Sequence, residues 1–349
     1  MYRPLVALLF AASLPAHAET FPTADGPVEV DNWAYLLQRA EPARLAAARH
    51  DLLVIDFARF GDGASKFTPQ EIHDMQHSSD GPGGDGQRKV VVSYLSIGEA
   101  SDFRDHWRAE WTRNGSANQP LTAAAPAWLG PFNPDWPESR KVRYWDPEWQ
   151  AVIFNDAKTG WLDQIVAQGF DGAYLDIVDA YYFWGNESSG GGTSPAAKRP
   201  GDPADGQDAA RRMARFIVEM TRHARQSHPK FFVIPQNGEF LLNDLRHGSA
   251  PEPGDDALAA EYLDAIAAIG IEDTYYRGDD DENNRLAIDT DKVAVLKQDF
   301  LAAGKPVLVV DYINQPAKVA DFQKRARADG FIPYAAPTRA LDRLAAPAR

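Results

Sequence analysis

The sequence predicts an α/β protein that folds as a single (β/α)8 TIM barrel. Short apolar runs, typical of buried parallel strands, recur eight times between residues 52 and 335, and segments with helical periodicity separate most of them. Nearly every run ends on a polar residue, as the strands of such a barrel do at its catalytic face. No linker divides the runs into two domains. An open doubly wound sheet is the alternative, but it would contain fewer strands.

The predicted elements follow in chain order. The strands are expected at residues 52–58, 90–100, 141–146, 173–178, 231–239, 268–273, 306–312 and 331–335. The helices between them are expected to begin near residues 68, 147, 207, 256, 291 and 316. The first of these helices has proline at its first helical position, which proline favours. The segment 185–206 is rich in glycine, proline and serine, so it is predicted to be an exposed insertion.

The first 18 residues have the features of a secretory signal peptide. Arg3 precedes an apolar stretch and an Ala-His-Ala exit at residues 16–18, so cleavage is expected before Glu19. The remaining chain, 19–349, would form the barrel and be secreted or periplasmic. No later stretch is long and apolar enough to suggest a membrane span.

Composition limits the possible partners and chemistry. A net charge of −14 and a pI near 5.0 argue against nucleic acid or an anionic membrane as a partner. The same acidity would attract a cationic substrate such as an amine-bearing polymer, although many exported proteins are acidic for solubility alone. The absence of cysteine excludes disulfides, thiolate metal sites and cysteine nucleophiles.

The fourth predicted strand carries the strongest functional signal. Its apolar run, Ala173–Val178, contains Asp176 near the downstream end, and burial of an unpaired carboxylate is costly. At the carboxyl end of a barrel strand, however, such a side chain projects into the active-site mouth. The alternative is that Asp176 or Asp179 only caps the next helix or closes a turn.

Polar residues at the other strand ends should face the same mouth. The candidate substrate-binding residues at or beside these ends are Asp56, Tyr94, Glu99, Asp146, Asp179, Asn237, Glu239, Asp311 and Tyr312. Tyr334 ends the last strand in the same way. Aromatic side chains near the mouth could stack on sugar rings, although most are equally compatible with ordinary packing. They are Tyr94, Trp145, Tyr181, Trp184, Tyr275 and Tyr312.

Paired carboxylates on one concave face suit glycoside hydrolysis. One carboxyl group protonates the leaving oxygen while the other attacks the anomeric carbon or activates water. The candidates for these roles are Asp176, Asp179, Glu239, Glu272 and Asp311. A metal site is less well supported, because His73 and His77 have helical metal-ligand spacing but lack the zinc-protease glutamate and a third ligand. No metal or organic cofactor is expected.

Three segments together resemble glycoside hydrolase family 114. They are Val-Ser-Tyr-Leu-Ser-Ile-Gly-Glu at 92–99, Trp-Asp-Pro at 145–147 and Gly-Phe-Asp-Gly-Ala-Tyr-Leu-Asp-Ile-Val-Asp-Ala-Tyr at 169–181. The likeness covers the chain from about residue 52 to residue 334. It implies a (β/α)8 barrel and an activity like that of the endo-α-1,4-polygalactosaminidases in the family. Relatives of the family include the hydrolase domain of the bacterial Pel polysaccharide system.

The resemblance also implies two catalytic carboxylates, an aspartate in the fourth-strand motif and a glutamate at the sixth strand. Asp176 matches the first and Glu272 best matches the second. The chain departs from the fungal enzymes, which have Asp-Pro-Asp-Asn where it has Tyr-Leu-Asp-Ile at 174–177, and it lacks the cysteine that follows their glutamate. It therefore resembles the bacterial and archaeal branch more closely.

These observations predict a secreted endo-acting hydrolase of a galactosamine-containing polysaccharide. Asp176 would be the nucleophile and Glu272 the general acid/base with a raised pKa, with Glu239 in reserve. Strands two apart are separated by about 9–10 Å at the backbone, which puts inward-reaching carboxyl groups about 5–6 Å apart, in the retaining range. The alternative is a catalytically silent barrel that only binds polysaccharide.

Overall fold

The computed structural model describes residues 18–77, 88–185, 199–248 and 250–347. Residues 1–17 of the predicted signal peptide and residues 186–198 of the predicted insertion lie outside these ranges. At the described end of that insertion, Asp202 is not exposed but forms an ion pair with Arg143 (2.7 Å). No helix within the described ranges is long and apolar enough to cross a bilayer.

The strands are numbered in chain order. They are β1 (Glu19–Thr23), β2 (Gly26–Val30), β3 (Trp33–Leu36), β4 (Leu52–Ile55), β5 (Val90–Ser96), β6 (Glu99–Ser101), β7 (Leu129–Phe132), β8 (Ser139–Val142), β9 (Gly172–Asp176), β10 (Phe232–Pro235), β11 (Ile269–Glu272), β12 (Val307–Tyr312) and β13 (Ile332–Ala336). The α-helices are α1 (Pro42–Ala46), α2 (Pro69–His77), α3 (Pro147–Ile153), α4 (Trp161–Gln168), α5 (Ala180–Gly185), α6 (Gly206–Arg225), α7 (Leu241–His247), α8 (Asp255–Ala265), α9 (Thr290–Val295) and α10 (Pro316–Ala328).

Eight parallel strands form the barrel. One run has the order β3-β4-β5-β9-β10, and a second has the order β11-β12-β13. Parallel bridges from Val233 to Ile266 and from Gln236 to Gly270 join the two runs between β10 and β11. On the other side β13 packs against β3, where the Trp33 indole donates to a carbonyl of β13 (2.9 Å). The predicted (β/α)8 barrel is confirmed.

One barrel strand was not predicted, and one predicted strand lies outside the barrel. The first barrel strand is β3, which the sequence analysis missed because its four residues follow a polar leader and form no long apolar run. The predicted third strand corresponds to β8, which is antiparallel to β6 and β7 in a separate sheet. The missed strand and the misplaced strand both precede β9, so the count of barrel strands before it is unchanged. Asp176 therefore still ends the fourth barrel strand and Glu272 the sixth.

The helix predicted to begin at residue 147 is two helices, α3 and α4. Asp146 caps the first, since its carboxylate accepts the Glu148 N–H (2.9 Å). Between the helices, the Asp163 carboxylate accepts the N–H groups of Asn155 and Gly160 (3.1 Å each). These side chains satisfy backbone donors that a helix end leaves free, so the interruption is stable.

Aromatic rings fill the barrel interior beneath the mouth. Tyr35 and Tyr174 lie with their ring centroids 5.1 Å apart, and Trp33 contacts Tyr334 at 5.6 Å. All four side chains are buried. The interior is therefore a packed core rather than a channel, and the polar groups lie at the carboxyl end of the strands, where active sites of this fold form.

Candidate active site

Asp176 ends β9 and accepts three hydrogen bonds. Its Oδ2 accepts the Tyr94 hydroxyl (2.6 Å), and its Oδ1 accepts the Ile177 backbone N–H (2.8 Å) and Nε2 of Gln236 (3.2 Å). The side chain is half-buried. Every partner is a donor, so each favours the ionised form of the carboxyl group.

Glu272 ends β11 and is held by donors from two other strands. Its Oε2 accepts Nε2 of Gln236 (2.6 Å) and Nδ2 of Asn237 (3.1 Å), and its Oε1 accepts the Tyr312 hydroxyl. Asn237 also contacts the backbone of Glu272, because its Oδ1 accepts the Glu272 backbone N–H (3.2 Å). The carboxylate is thus fixed in orientation as well as position.

A single nitrogen, Nε2 of Gln236, contacts both carboxylates. The two contacted oxygens therefore cannot be farther apart than the sum of the two bond lengths, about 5.8 Å. This bound agrees with the separation expected from the strand spacing. Glu272, which the sequence analysis preferred to Glu239, is the carboxylate that shares a donor with Asp176.

Proximity of the two carboxylates changes the acidity of Asp176. Burial and the negative charge of Glu272 raise the pKa of Asp176 to about 7, although the Tyr94 and Ile177 donors oppose the shift. On the sequence alone a raised pKa is expected at the predicted general acid, Glu272, whereas the structure shows one at Asp176. The Asp176 carboxyl group is therefore able to hold a proton near neutral pH.

Three residues at the strand ends have left-handed backbone conformations. Ile177, Asn237 and Asp273 have φ angles of 59°, 61° and 49°. A β-branched residue such as Ile177 rarely adopts this region, and such strain is concentrated at functional sites. Ile177 and Asp273 directly follow β9 and β11, and Asn237 lies two residues after the end of β10, so the backbone turns where the site is built.

Tyr94 and Tyr312 belong to the site as hydrogen-bond donors. Both hydroxyls bind the candidate catalytic carboxylates, as described above. The predicted sugar-stacking role is wrong for three other aromatic residues, because Tyr181, Trp184 and Tyr275 are fully buried. Their polar atoms bind within the protein: Tyr181 to Asp244, Trp184 to the Val142 carbonyl and Tyr275 to Asp329. Trp145 is half-buried, and its ring contacts Trp184 at 5.3 Å.

Two predicted substrate-binding carboxylates instead brace the loops of the mouth. Asp311 is 0% exposed, and its oxygens accept the backbone N–H groups of residues 274, 275 and 276 at 2.7–3.1 Å. Burial, opposed by these bonds, raises the pKa of Asp311 to about 6. Asp56 is equally committed, since it forms a bidentate ion pair with Arg104 (2.7 and 3.1 Å). Protein donors occupy both carboxylates, so their predicted role in binding substrate is not supported.

The remaining predicted residues have different environments. Asp146 caps a helix outside the barrel strands, so its expected position at a strand end was wrong. Glu99 is buried and accepts Nζ of Lys141 (2.5 Å) and Nδ2 of Asn133 (2.9 Å). Glu239 is buried with its Oε1 4.0 Å from Nζ of Lys292.

Asp179 is the carboxylate of this group best placed to meet a ligand. It is half-buried, and burial together with Glu99 and Glu239 raises its pKa to about 6, against the opposing charge of Lys141. Within the described ranges its carboxylate makes no hydrogen bond or ion pair. A cationic or hydrogen-bonding group of a substrate could therefore bind it without displacing a protein partner.

Two residues of the site, Gln236 and Lys292, could not be recognised from the sequence. Gln236 and Lys292 were overlooked because an amide and a lone lysine carry no catalytic signature, yet Lys292 donates to the Glu272 carbonyl (3.1 Å). The one feature of the sequence that could have indicated Gln236 is its position directly after a barrel strand. The described ranges contain no cluster of three or more potential metal ligands, and the His73 and His77 rings stack on each other at 4.2 Å.

Comparison with known proteins identifies related sequences and folds. The profile of glycoside-hydrolase family GH114 matches residues 12–346. An uncharacterised protein of Methanocaldococcus jannaschii is 32% identical over 326 residues, covering 89% of this chain and 77% of the relative. An uncharacterised protein of Thermotoga maritima is 29% identical over 313 residues, covering 88% and 80%.

One solved structure aligns with this chain over nearly the full length of both. The glycoside hydrolase domain of PelA from Pseudomonas aeruginosa superimposes with a TM-score of 0.55 and 18% identity, covering 90% of this chain and 97% of that domain. At this identity the likeness concerns the fold alone, and it agrees with the barrel described above.

Proposed function

The chain belongs to glycoside hydrolase family GH114, and on that premise we propose that it cleaves internal bonds of a galactosamine-containing polysaccharide. The observation that carries the proposal is the pair of carboxylates, Asp176 and Glu272, joined by one amide at the carboxyl end of the barrel. The upper bound of about 5.8 Å on the two bridged oxygens is compatible with the carboxyl separation of about 5–5.5 Å in retaining glycosidases and lies below the roughly 6.5–9.5 Å of inverting ones.

The proposed reaction is a double displacement. Asp176 attacks the anomeric carbon while Glu272 donates its proton to the glycosidic oxygen, which leaves with the bond electrons. A glycosyl ester on Asp176 results. Glu272, now ionised, takes a proton from water; the resulting oxygen nucleophile attacks the anomeric carbon and releases Asp176 as a carboxylate. Both groups return to their initial states.

The first step requires a proton on Glu272 and an ionised Asp176. In the free protein the raised pKa of Asp176 allows the proton to occupy that group as well. A protonated sugar amine near the mouth would stabilise ionised Asp176 and so move the proton to Glu272. The acidic residues at the mouth, Asp179 among them, would favour such a substrate.

The test is cleavage of a defined polymer. Purified chain 19–349 is incubated with partially deacetylated α-1,4-galactosaminan, and we expect new reducing ends and shortened oligomers. The Asp176→Asn variant serves as the matched control and should release none. Binding of the polymer without new reducing ends from the wild type would instead support a barrel that only binds polysaccharide.

We also propose that the protein is exported, on the basis of the charged start, apolar stretch and Ala-His-Ala exit of its first 18 residues. Sequencing of the exported protein should give an N-terminus at or close to Glu19. Full-length protein retained in the cytoplasm would contradict this proposal.

A further inference from the structure

A single buried amide links the two candidate catalytic carboxyl groups. Gln236 is 3% exposed and directly follows β10, which lies between β9 and β11 in the barrel. Its backbone is fixed on both sides: its N–H donates to the Leu175 carbonyl (2.7 Å), and it forms a parallel bridge with Gly270. The side chain is therefore held between the strand ends that carry Asp176 and Glu272.

The surrounding charges determine the orientation of this amide. Nε2 lies 3.2 Å from Asp176 Oδ1 and 2.6 Å from Glu272 Oε2, so the reversed amide would place its oxygen against two carboxylate oxygens. In the present orientation Gln236 Oε1 is buried and has no hydrogen-bond partner among the described residues. A buried acceptor without a partner is unfavourable, which indicates that the contacts of the nitrogen outweigh this cost.

We propose that Gln236 is a positioning residue of the hydrolytic reaction: its two N–H groups hold Asp176 and Glu272 at the separation that double displacement requires. The inference rests on the proposed function. Because both bonds share one nitrogen, the contacted oxygens are at most about 5.8 Å apart. Inverting pairs are wider, about 6.5–9.5 Å, because a water molecule must fit between the carboxyl group and the sugar.

The amide also determines which oxygens carry the proton. Its N–H groups face Asp176 Oδ1 and Glu272 Oε2, so these oxygens act as acceptors. The outer oxygens, Asp176 Oδ2 and Glu272 Oε1, contact the hydroxyls of Tyr94 and Tyr312. A hydroxyl can donate or accept, so protonation of an outer oxygen leaves the bridge intact. The proton that Glu272 transfers therefore resides on Oε1.

Removal of the bridge has a predictable effect on acidity. Without it, Asp176 loses a donor to its ionised form and faces Glu272 with no donor between the two groups, so the pKa of Asp176 rises further. The other titratable groups that face the pair are unchanged by the substitution. They are Tyr35, Tyr94, Tyr174, Asp179, Tyr312 and Arg339, with the Lys292–Glu239 ion pair beside them.

The experiment compares Gln236→Leu with the parent protein. We expect kcat to fall by about 100-fold, as for a misplaced reacting group, with little change in KM. The alkaline limb of the pH–rate profile should move upward by about one unit. Gln168→Leu is the matched control, because Gln168 is also buried and its Nε2 also donates to two oxygens, the carbonyls of Phe57 and Phe67 (2.8 Å each). The pH–rate profile of Gln168→Leu should be the same as that of the parent.

A second readout needs no substrate. Titration of the free protein by NMR of 13C-labelled carboxyl groups should show a higher pKa for Asp176 in Gln236→Leu than in the parent. It tests the bridge even if galactosaminan is not cleaved, so failure of the proposed function and failure of this inference are distinguishable. An unchanged carboxyl titration in the variant would overturn the inference.

A shape-preserving variant covers the case in which Gln236→Leu does not fold. Gln236→Glu keeps the size of the side chain but has no N–H2 group, and only its protonated form can donate, to one carboxylate at a time. We expect its residual activity to be confined to acidic pH. A parental pH profile in this variant would also contradict the positioning role.

Discussion

At the scale of single residues, the site brings together two carboxylates that repel each other and compensates with donors. Asp176 has Tyr94 and a backbone N–H, Glu272 has Tyr312 and Asn237, and Gln236 serves both. Each donor stabilises negative charge, but burial and mutual repulsion still dominate at Asp176, whose pKa rises to about 7. Asp176 is therefore able to hold a proton near neutral pH beside a second carboxyl group.

The raised pKa of Asp176 gives stability a defined pH dependence. An aspartate in the unfolded chain has a pKa of about 3.9, so between about pH 4 and pH 7 the native state binds a proton that the unfolded state has lost. The stabilisation is complete below about pH 4 and is lost as pH rises through 7. Asp176→Asn cannot ionise, so its melting temperature relative to the parent should increase from about pH 4 to about pH 7 and then level off.

Asp208→Asn is the control for this measurement. Burial acts to raise the pKa of Asp208, but hydrogen bonds from Arg212 and the Ala204 N–H outweigh it and lower that pKa. Folded and unfolded forms are then both ionised above about pH 5. The difference in melting temperature between Asp208→Asn and the parent should be constant from pH 5 to pH 8. An equally constant difference in melting temperature for Asp176→Asn would contradict the raised pKa of Asp176.

At the scale of elements, several carboxylates at strand ends hold backbone rather than substrate. Asp311 at the end of β12 accepts three consecutive N–H groups of the loop that follows Glu272. Asp56, just after β4, holds Arg104, whose guanidinium also donates to the Gly61 carbonyl (3.0 Å) and lies 5.8 Å from the Tyr94 ring. These contacts fix the loops that follow β4 and β11, which lie beside the candidate site.

The buried Asp56–Arg104 pair should be sensitive to loss of one partner. Arg104→Leu leaves a carboxylate that is 4% exposed without its cation, and breaking such a pair costs about 3–5 kcal/mol. Chemical denaturation should show this loss, and the double variant Asp56→Leu with Arg104→Leu should recover a large part of it. Arg325→Leu, which breaks the exposed helical pair with Asp321, is the control and should change stability little. Equal losses in Arg104→Leu and Arg325→Leu would contradict the bracing role.

Sequence patterns located β9 and β11 because each has an apolar run, a nearby glycine and a carboxylate at its end. The same pattern could not separate Asp176 from Asp311, since both follow buried runs and only the fold shows that Asp311 accepts backbone N–H groups. Gln236 was missed for the opposite reason, because a neutral amide acquires its role only from the two strands beside it.

At the scale of the whole molecule, the eightfold recurrence of strand patterns was enough to predict the barrel, although β3 was missed and β8 was placed in it wrongly. Count and length constrain architecture more strongly than any one boundary does. Net charge is also a property of the whole chain, and at −14 it gives the protein a long-range attraction for cations.

If this charge contributes to substrate capture, the effect should depend on salt. The KM for partially deacetylated galactosaminan should rise with added NaCl, because attraction between exposed charges is screened beyond about 10 Å at 0.1 M. Fully N-acetylated polymer of the same length lacks the amines, and its affinity should be insensitive to salt. A KM for the deacetylated polymer that is constant across the salt range would leave solubility as the role of the acidity.

The assignment of Asp176 as nucleophile and Glu272 as general acid/base is tested most directly by azide rescue. Asp176→Ala and Glu272→Ala are each incubated with azide and an activated aryl α-glycoside of a galactosamine oligomer, and the anomeric configuration of the glycosyl azide is determined by NMR. We expect the β-azide from Asp176→Ala, by one inversion, and the α-azide from Glu272→Ala, by two. The opposite pattern would exchange the two roles, and rescue of Glu239→Ala in place of Glu272→Ala would contradict the proposed pair.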